Sequence, residues 1–464
     1  MSTALTGPRA SLDGDPLATR LDLVHRTASP PRLLVRAVAA VAALAAMLTA
    51  LAVAAAAAND ALDVIGHEAG PQVVATTDLY FALSDADAQV ATLLLLGTSD
   101  PEAAAEAETR YAQRRGEIAG ALLEAHRLAG GDAAQRTTIE TVMEHYGEYE
   151  QLAAEALLLA DQAAYPQGEA PPEVVAAYRE AGDLMSGQLL PLSYNLTLEN
   201  ATTVRESYDR AQGRIDTGLL VVAIGGAIAL AALVWLQIHI ARGFGRVFNP
   251  SLLVATAVCL LYLGTGLTVL NAEQSALQEA KEDGFDSALS LARANAVSNA
   301  LYVDQVRYLL DDERALVYEQ TFFDKVQALL YVEADNLEDY REKLTELWEP
   351  QFAVVPSDGL LGAGLQGGYT MSTSESWQAL LETDAAMRAD TGSDASRLEA
   401  ARAAYEAYDE DLDNLTGEHL TTFRAGIDEG EKAIADFAFL LPAAMVALAA
   451  FTFTGIAPRL REFR

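Results

Sequence analysis

The sequence predicts an all-α fold, in which four transmembrane helices carry two tandem extracytoplasmic helical bundles. Three observations lead to this prediction. The chain of 464 residues contains four apolar stretches of about 20 residues, the segments between them repeat apolar residues at helical spacing, and no strand-like alternation of useful length occurs. A helix of about 20 residues is long enough to cross a bilayer core of about 30 Å.

The four predicted spans occupy residues 37–58, 218–238, 251–270 and 437–456. Their cores contain no Asp, Glu, Lys or Arg, and insertion of a charge there would cost about 2.5 to 3.5 kcal/mol. The first span also has the pattern of a cleaved secretory signal, since small residues follow its apolar run. Its basic leader is long for a signal, so we expect an uncleaved anchor.

Arginines near the spans predict the orientation, because basic residues are retained on the cytoplasmic side. Five arginines precede the first span, two lie between the second and third, and three follow the fourth. We therefore expect a multi-pass protein of the cell membrane with both termini in the cytoplasm, comprising a tail at 1–36, a loop at 239–250 and a stub at 457–464. Residues 59–217 and 271–436 are then extracytoplasmic.

Acidic residues are concentrated in the two extracytoplasmic segments. The chain has 31 Lys and Arg against 66 Asp and Glu, and removing the cytoplasmic parts leaves a net charge of −41. Such segments repel nucleic acid and anionic lipid headgroups, so no nucleic-acid partner is expected. A solvated acidic surface is the simpler interpretation, and a specific cation-binding role is the alternative.

The first extracytoplasmic segment, 59–217, is predicted to form a four-helix bundle. Apolar residues recur on one helix face at Leu83, Ala86, Val90 and Leu93. A capping signal, Ser-Asp-Pro-Glu from Ser99, begins the next helix. Further breaks at 130–132 and 165–172 divide the segment into about four helices, a number that suits an antiparallel bundle.

The second extracytoplasmic segment, 271–436, shows the same kind of pattern. One seam alternates spacings of three and four through Leu398, Ala401, Tyr405, Tyr408, Leu412 and Leu415. Breaks are predicted at 311–313, 349–369 and 391–393. The glycine-rich stretch 356–374 is expected to be a connector, with a binding lid as the alternative. His419 continues the seam and is expected to be buried and hydrogen-bonded rather than a ligand or pH sensor.

The two segments match in layout and length, which indicates a duplicated architecture. Each is long enough for a separate hydrophobic core. The lone cysteine, Cys259, lies in the third span, so no disulfide can form within the chain. Packing must therefore stabilise both segments.

The sequence predicts no enzyme, no cofactor and no metal site. The six histidines are scattered, and no phosphate-binding loop is present. A GxGxxG string begins at Gly362, but no predicted strand precedes it, so it is not read as a dinucleotide site. Transport is disfavoured as well, because the spans lack ionisable residues in their cores.

The short loop between the second and third spans is the predicted contact for a cytosolic partner. Its candidate contact residues are Arg242, Phe244, Arg246 and Phe248. Anchoring to lipid headgroups is the simpler interpretation of these side chains, and partner docking is the alternative. The remaining cytoplasmic parts are too small for a catalytic domain, so a signal that leaves the molecule is expected to leave here.

This layout resembles two known groups of proteins. A helical bundle between two spans is similar to the sensor modules of bacterial chemoreceptors and sensor kinases, although the signalling helices that follow there are missing. The whole chain resembles the GlnX family of four-span actinobacterial membrane proteins, through its two helical segments, the arginine-bearing loop that ends in Asn249-Pro250, and its lysine-poor composition. No ligand-contact residue can be carried over.

The resemblance to the GlnX family implies a role in amino-acid sensing. Members couple a solute-binding lipoprotein, GlnH, which senses aspartate and glutamate, to the cytosolic Ser/Thr kinase PknG. We therefore expect a signal relay with an extracytoplasmic solute-binding lipoprotein and a cytosolic Ser/Thr kinase as partners. The alternatives are a scaffolding protein of the cell envelope and an accessory subunit of a transporter.

Overall fold

The computed structural model describes residues 30–244, 249–348, 358–365, 371–389 and 393–461. Every regular element in these ranges is helical, and no strand occurs within them. The prediction of an all-α fold is therefore confirmed. The tail predicted at 1–36 lies mostly outside these ranges, as do residues 356–357 and 366–370 of the predicted loop at 356–374. The described part of that loop is not irregular throughout, since it contains the helix Leu360–Leu365 and the start of the helix Met371–Ala389.

The described residues of the first half of the chain contain six α-helices. They are α1 Pro30–Asp63, α2 Gly70–Leu96, α3 Pro101–Leu128, α4 Ala133–Ala163, α5 Pro172–Leu184 and α6 Leu190–Phe244. Two π-helical segments, Val64–Ala69 and Met185–Leu189, connect α1 to α2 and α5 to α6 without a break.

The second half of the chain contains seven α-helices among its described residues. They are α7 Pro250–Glu279, α8 Ser287–Leu310, α9 Ala315–Leu329, α10 Leu337–Leu347, α11 Leu360–Leu365, α12 Met371–Ala389 and α13 Asp394–Arg461. A third π-helical segment, Ala280–Asp286, joins α7 to α8, at the place that Val64–Ala69 occupies in the first half. This correspondence supports the duplicated architecture.

Side-chain caps begin the helices at the predicted breaks of the first segment. The Asp100 carboxylate accepts a hydrogen bond from the Ala103 amide at 3.0 Å, and the Asp132 carboxylate accepts one from Ala134 at 2.9 Å. Each cap satisfies an amide that has no partner within its own helix. Because π-helical segments link α1 to α2 and α5 to α6, residues 59–217 contain four continuous helical stretches.

The second segment contains one break that the sequence analysis missed. Helix α9 ends at Leu329 and α10 begins at Leu337, where the Asn336 side chain accepts a hydrogen bond from the Asp339 amide at 3.0 Å. No glycine or proline lies between the two helices, so the break lacks the residues that usually mark one.

The chain divides into two compact units. The first, here called the apolar unit, comprises the described residues within Met1–Asn59, Ala211–Gln274 and Glu431–Arg464. The second, the charged unit, comprises Asp60–Arg210 and the described residues within Ser275–Gly430. Both predicted extracytoplasmic segments thus contribute to one unit, and they are called its first and second segments below.

The charged unit has one hydrophobic core, which both segments share. Its buried cluster takes residues from α2 to α6 and from α8 to α13, including Leu83 and Tyr149 of the first segment and Phe322 and Trp377 of the second. The expectation that each segment forms its own core is therefore not met. The predicted seam residues and His419 are buried in this unit.

Helices α2 and α8 lie at the centre of the shared core. Helix α8 has no exposed residue, and α2 has none from Leu79 to Leu96; each buries polar residues such as Asp87 and Asp304 together with its apolar ones. The sequence analysis predicted a single apolar face for α2. For residues 79–96 that prediction was incomplete, because a stretch surrounded by other helices has no solvent-exposed side.

Four helical stretches of the described residues are long and apolar enough to cross a membrane: Leu34–Ala57, Ile65–Leu96, Pro172–Arg242 and Pro250–Leu310. Three of them contain or overlap predicted spans. The other, Ile65–Leu96, is 83% buried in its apolar window because it includes the central helix α2. A shorter apolar stretch, Pro442–Gly455, falls within the fourth predicted span. These helices indicate a membrane protein.

Helices of the apolar unit pack through small residues. Buried contacts join Ala40 of α1, Ala229 of α6, Cys259 of α7 and Leu448 of α13. A methyl group added at Gly226 would lie 2.4 Å from the Leu263 side chain. Small residues of the second predicted span thus allow close helix packing.

Candidate functional site

A buried ion pair joins the two segments at the centre of the charged unit. Asp87 of α2 is 1% exposed, and its Oδ2 lies 2.6 Å from Nη2 of Arg307 on α8. Removing two such charges from water is unfavourable unless each has a close partner. The pair therefore fixes α2 and α8 relative to each other.

Two tyrosines complete the surroundings of the Asp87 carboxylate. The Tyr149 hydroxyl donates to Asp87 Oδ1 at 3.1 Å, and the Tyr178 hydroxyl donates to Oδ2 at 3.2 Å. Tyr178 also accepts a hydrogen bond from Arg307 Nε at 3.0 Å. Burial raises the pKa of both tyrosines well above their usual range, so both hydroxyls keep the protons that they donate.

The Arg307 guanidinium group packs closely against Gly182 of α5. Its Nη2 also donates to the Gly182 carbonyl oxygen at 3.3 Å. A β-carbon at position 182 would lie 2.8 Å from that same nitrogen, so glycine leaves room for the guanidinium group. Asp87, Tyr149, Tyr178, Gly182 and Arg307 are called the Asp87 cluster below.

A second buried ion pair lies one helical turn away on α8. Asp304 is 1% exposed and accepts from Lys325 Nζ of α9 at 2.5 Å, while Lys325 also donates to the Ala300 carbonyl at 3.0 Å. Burial lowers the pKa of Lys325, although the Asp304 carboxylate opposes that shift. Both pairs thus bring cationic and anionic groups into the core.

A cavity of about 460 Å³ lies against these two ion pairs. Its walls come from α2, α6, α8 and α9, together with Ser186 and Leu360. The charged groups on its surface are Asp87, Arg307, Asp324 and Lys325. The cavity therefore presents both signs of charge, as recognition of a zwitterionic solute requires.

Ser84 offers this cavity a further polar group. The residue is 1% exposed, and its hydroxyl oxygen has no hydrogen-bond partner among the described residues. Buried hydroxyls are normally hydrogen-bonded, so a vacant one beside a cavity marks a place where a bound solute can bond. The 460 Å³ cavity, with the Asp87 cluster and Ser84, is the candidate site for a solute.

A smaller cavity of about 210 Å³ lies where α2, α3 and α13 meet. It is lined by three arginines and six acidic residues: Arg110, Arg114, Arg402, Asp85, Asp100, Glu106, Glu399, Glu406 and Asp409. Arg114 Nε lies 2.5 Å from Asp85 Oδ2, a contact within the first segment. Arg110 Nη2 lies 3.1 Å from Glu406 Oε1, and Arg402 Nη1 lies 3.0 Å from Glu106 Oε2. The last two contacts hold the two segments together across the cavity.

Asp409 gives the charged unit a testable pH dependence. Burial and the nearby Asp413 charge raise its pKa to about 7, so the folded state binds a proton that the unfolded state releases near pH 4. The stability contributed by that proton is complete below pH 4 and is lost as the pH rises through about 7. We expect Asp409→Asn to melt at a higher temperature than the wild type at pH 8, and to exceed the wild type by much less at pH 5, where only part of this stability has been lost.

The comparison requires thermal melts of the full chain at both pH values. Asp161→Asn is the matched control, because Asp161 is exposed on α4 and lines none of these cavities. Its effect on the melting temperature should be the same at pH 5 and pH 8. A pH-independent effect of Asp409→Asn would contradict the prediction.

Two of the four predicted contact residues of the cytosolic loop, Arg242 and Phe244, lie in the apolar unit. Arg242 is exposed near the end of α6, and Phe244 is the last residue of that helix. Arg246 and Phe248 lie outside the described residues. Partner docking at this loop stays a prediction.

The sequence analysis did not identify the Asp87 cluster. The available signal was the occurrence of Asp85 and Asp87 in a largely apolar helix, together with Asp304 and Arg307 in a second such helix. Ionisable residues in an apolar helix indicate either a solvent-facing stripe or a buried pair. Only the contact between the two helices identifies the pair.

Comparison with known proteins gives one match. Residues 61–209 match the family model of an actinobacterial sensor domain. This range covers the first segment of the charged unit, including Asp87, Tyr149 and Tyr178. No curated protein and no solved structure matches the chain significantly. The match supports an actinobacterial sensor protein with a role in sensing or signalling.

Proposed function

We propose that this chain is an integral-membrane signal relay, in which the charged unit lies outside the cytoplasm and responds to a solute. The observation that carries the proposal is the 460 Å³ cavity beside the Asp87–Arg307 pair, which joins α2 to α8. A solute bound there contacts both segments at once. The sensor-domain match over residues 61–209 supports the same interpretation.

The charges of the cavity suit an amino acid such as aspartate or glutamate. Arg307 and Lys325 can bond carboxylates of the solute, and Asp87 and Asp324 can bond its ammonium group. The solute can arrive free or be presented by a solute-binding lipoprotein. To act as a signal, it must favour one arrangement of α2 and α8 over another, typically by about 1 to 3 kcal/mol.

Helix α6 offers a route from the cavity to the predicted docking loop. Leu190 and Tyr194, near its start, line the cavity, and Arg242 lies near its end. A shift or rotation of α6 would therefore alter the residues that a cytosolic partner contacts. We propose that this partner is a Ser/Thr kinase or another protein that docks on residues 239–250.

Affinity capture of the tagged full-length protein, with and without aspartate or glutamate, tests this function. We expect a solute-binding lipoprotein and a cytosolic kinase to be captured in amounts that change with the amino acid. The double variant Arg242→Ala, Arg246→Ala should lose the cytosolic partner, whereas Arg205→Ala, Arg424→Ala should keep it, because those two arginines are exposed in the charged unit.

The other outcomes of this capture assign different functions. Capture of the same cell-wall proteins, in amounts that do not change with the amino acid, indicates a scaffold. Co-purification of a channel-forming or ATP-driven subunit indicates a transporter accessory protein. Direct solute binding is measured separately by calorimetry. Ala328→Phe narrows the cavity and should weaken binding of the amino acid. Ala112→Phe is its control on an exposed face of α3.

A further inference from the structure

A third cavity, of about 360 Å³, lies in the charged unit apart from the Asp87 cluster. Its walls come from α2, from α8 with the preceding Phe285, and from α13. The polar residues that line it are Thr77, Asp78, Asn295, Asp413 and Thr416. This space, called the Asn295 cavity below, belongs to neither the proposed solute site nor the proposed docking loop.

The walls of the Asn295 cavity are mainly apolar. Two phenylalanine rings, Phe81 and Phe285, and aliphatic side chains such as Leu289 form most of its surface. A space of this size and character suits a small organic molecule with an apolar body. A bare metal ion would leave most of these walls without a contact.

The buried side chain of Asn295 has one polar atom without a partner. The residue is 8% exposed, and its Nδ2 donates to Asp413 Oδ1 at 2.7 Å. Its Oδ1 has no hydrogen-bond partner among the described residues. An amide oxygen left without a donor in a buried position costs free energy, and a ligand that donates to it removes that cost.

The hydroxyl groups that line the cavity already donate hydrogen bonds to backbone carbonyls. Thr77 Oγ1 donates to the Val73 carbonyl at 2.9 Å, and Thr416 Oγ1 donates to the Leu412 carbonyl at 2.7 Å. Since the Asn295 amide donates to Asp413, the polar groups that remain are acceptors: two carboxylates, one amide oxygen and two hydroxyl oxygens. A ligand must therefore supply the donors.

The charges around the cavity favour a cation. Asp78 and Asp413 line it, and no Lys or Arg among the described residues does. Arg114, whose charge acts on Asp413, is held by Asp85 and Glu117, each at 2.5 Å. Desolvation, together with the charges of Glu117 and Asp413, raises the pKa of Asp78 to about 6. Around neutral pH the Asp78 carboxylate therefore carries a negative charge that no cationic side chain of the described lining neutralises.

We propose that the Asn295 cavity binds an organic cation, a protonated amine with an apolar body. The ammonium group donates to the carboxylates of Asp78 and Asp413 and to Asn295 Oδ1. The apolar body packs against Phe81 and Phe285, whose ring faces also attract a cation. The bound amine contacts α2, α8 and α13, so it bridges both segments.

Calorimetric titration of the full-length protein in detergent with 2-phenylethylamine tests the proposal. The comparison ligand is 2-phenylethanol, which has the same ring but no charge. We expect the amine to bind at least tenfold more tightly than the alcohol. Equal affinities would overturn the proposal, because the carboxylates would then play no part, and so would the absence of amine binding at millimolar concentration.

Substitutions assign the binding to this cavity. The double variant Asp78→Asn, Asp413→Asn keeps the side-chain shapes and should weaken amine binding at least tenfold, whereas Asp161→Asn should not change it. Ala292→Leu fills the cavity and should weaken binding without removing any charge, which covers the case in which the double variant fails to fold. Unchanged amine binding in both cavity variants would place the amine elsewhere and overturn the assignment.

A calcium titration separates the amine from a metal ion. The Asn295 cavity offers oxygen atoms that could also attract a hard cation. We expect calcium not to compete with 2-phenylethylamine at millimolar concentration. Competition by calcium that is lost in Asp78→Asn, Asp413→Asn would show that the site recognises a metal ion instead.

Discussion

Replacing Arg307 with methionine should lower the free energy of unfolding by about 3 to 5 kcal/mol, the usual effect of leaving a buried charge without its partner. Asp87 is 1% exposed and would keep only the two tyrosine hydroxyls as donors. Methionine preserves much of the side-chain volume, so the loss would report the charge rather than a cavity. Denaturation of the full-length protein, followed by near-ultraviolet circular dichroism, measures it.

The exposed pair between Arg314 and Asp183 provides the matched control. It also joins the two segments, at 2.9 Å, but its side chains are 38% and 63% exposed. Arg314→Met should therefore change the unfolding free energy by at most about 1 kcal/mol. The double variant Arg307→Met, Asp87→Asn should recover part of the loss, because it no longer buries an unpaired carboxylate. Equal losses in the two methionine variants would contradict the role assigned to the Asp87 cluster.

Replacing Gly284 with alanine should destabilise the charged unit by about 1 to 3 kcal/mol through overpacking. Gly284 lies in the π-helical segment before α8, and a β-carbon there would lie 2.7 Å from Phe423 Cα and 2.8 Å from Phe423 N. Both atoms belong to the backbone of α13, which cannot move aside as a flexible side chain can. Thermal denaturation of the full-length variant measures the effect.

Gly120→Ala is the control for this substitution. Gly120 lies in α3, where an added β-carbon would have no neighbour within 4 Å. Alanine restricts the unfolded chain more than glycine does, so this variant should gain about 0.5 to 1 kcal/mol. A gain at both positions would show that α8 and α13 are not packed as closely at Gly284 as described.

The sequence predicted the helical class and the limits of many helices because those features depend on local patterns. The Asp100 and Asp132 caps lie next to the helices that they begin, and the seam from Leu398 to Leu415 repeats within a single helix. The break before Leu337 was missed because it contains no glycine or proline. The limits of a helix were therefore predicted where a cap, a glycine or a proline marks them in the sequence.

The shared core and the candidate site depend on contacts between distant parts of the chain, which local patterns do not contain. A helix such as α8, which has no exposed residue, has no solvent-facing side from which its orientation can be read. Asp87 and Arg307 are 220 positions apart, and neither residue alone distinguishes a buried pair from two solvated charges. The sequence therefore predicted two separate bundles, whereas the segments form one unit.

The separation along the chain between the two halves of this core also has a consequence for biosynthesis. A ribosome adds about 5 to 20 residues each second, so Asp87 waits about 11 to 44 seconds before Arg307 is even synthesised. During that interval the first segment lacks half of the helices that cover its apolar surface. The nascent protein therefore needs protection from proteases and from aggregation until its second half has been made.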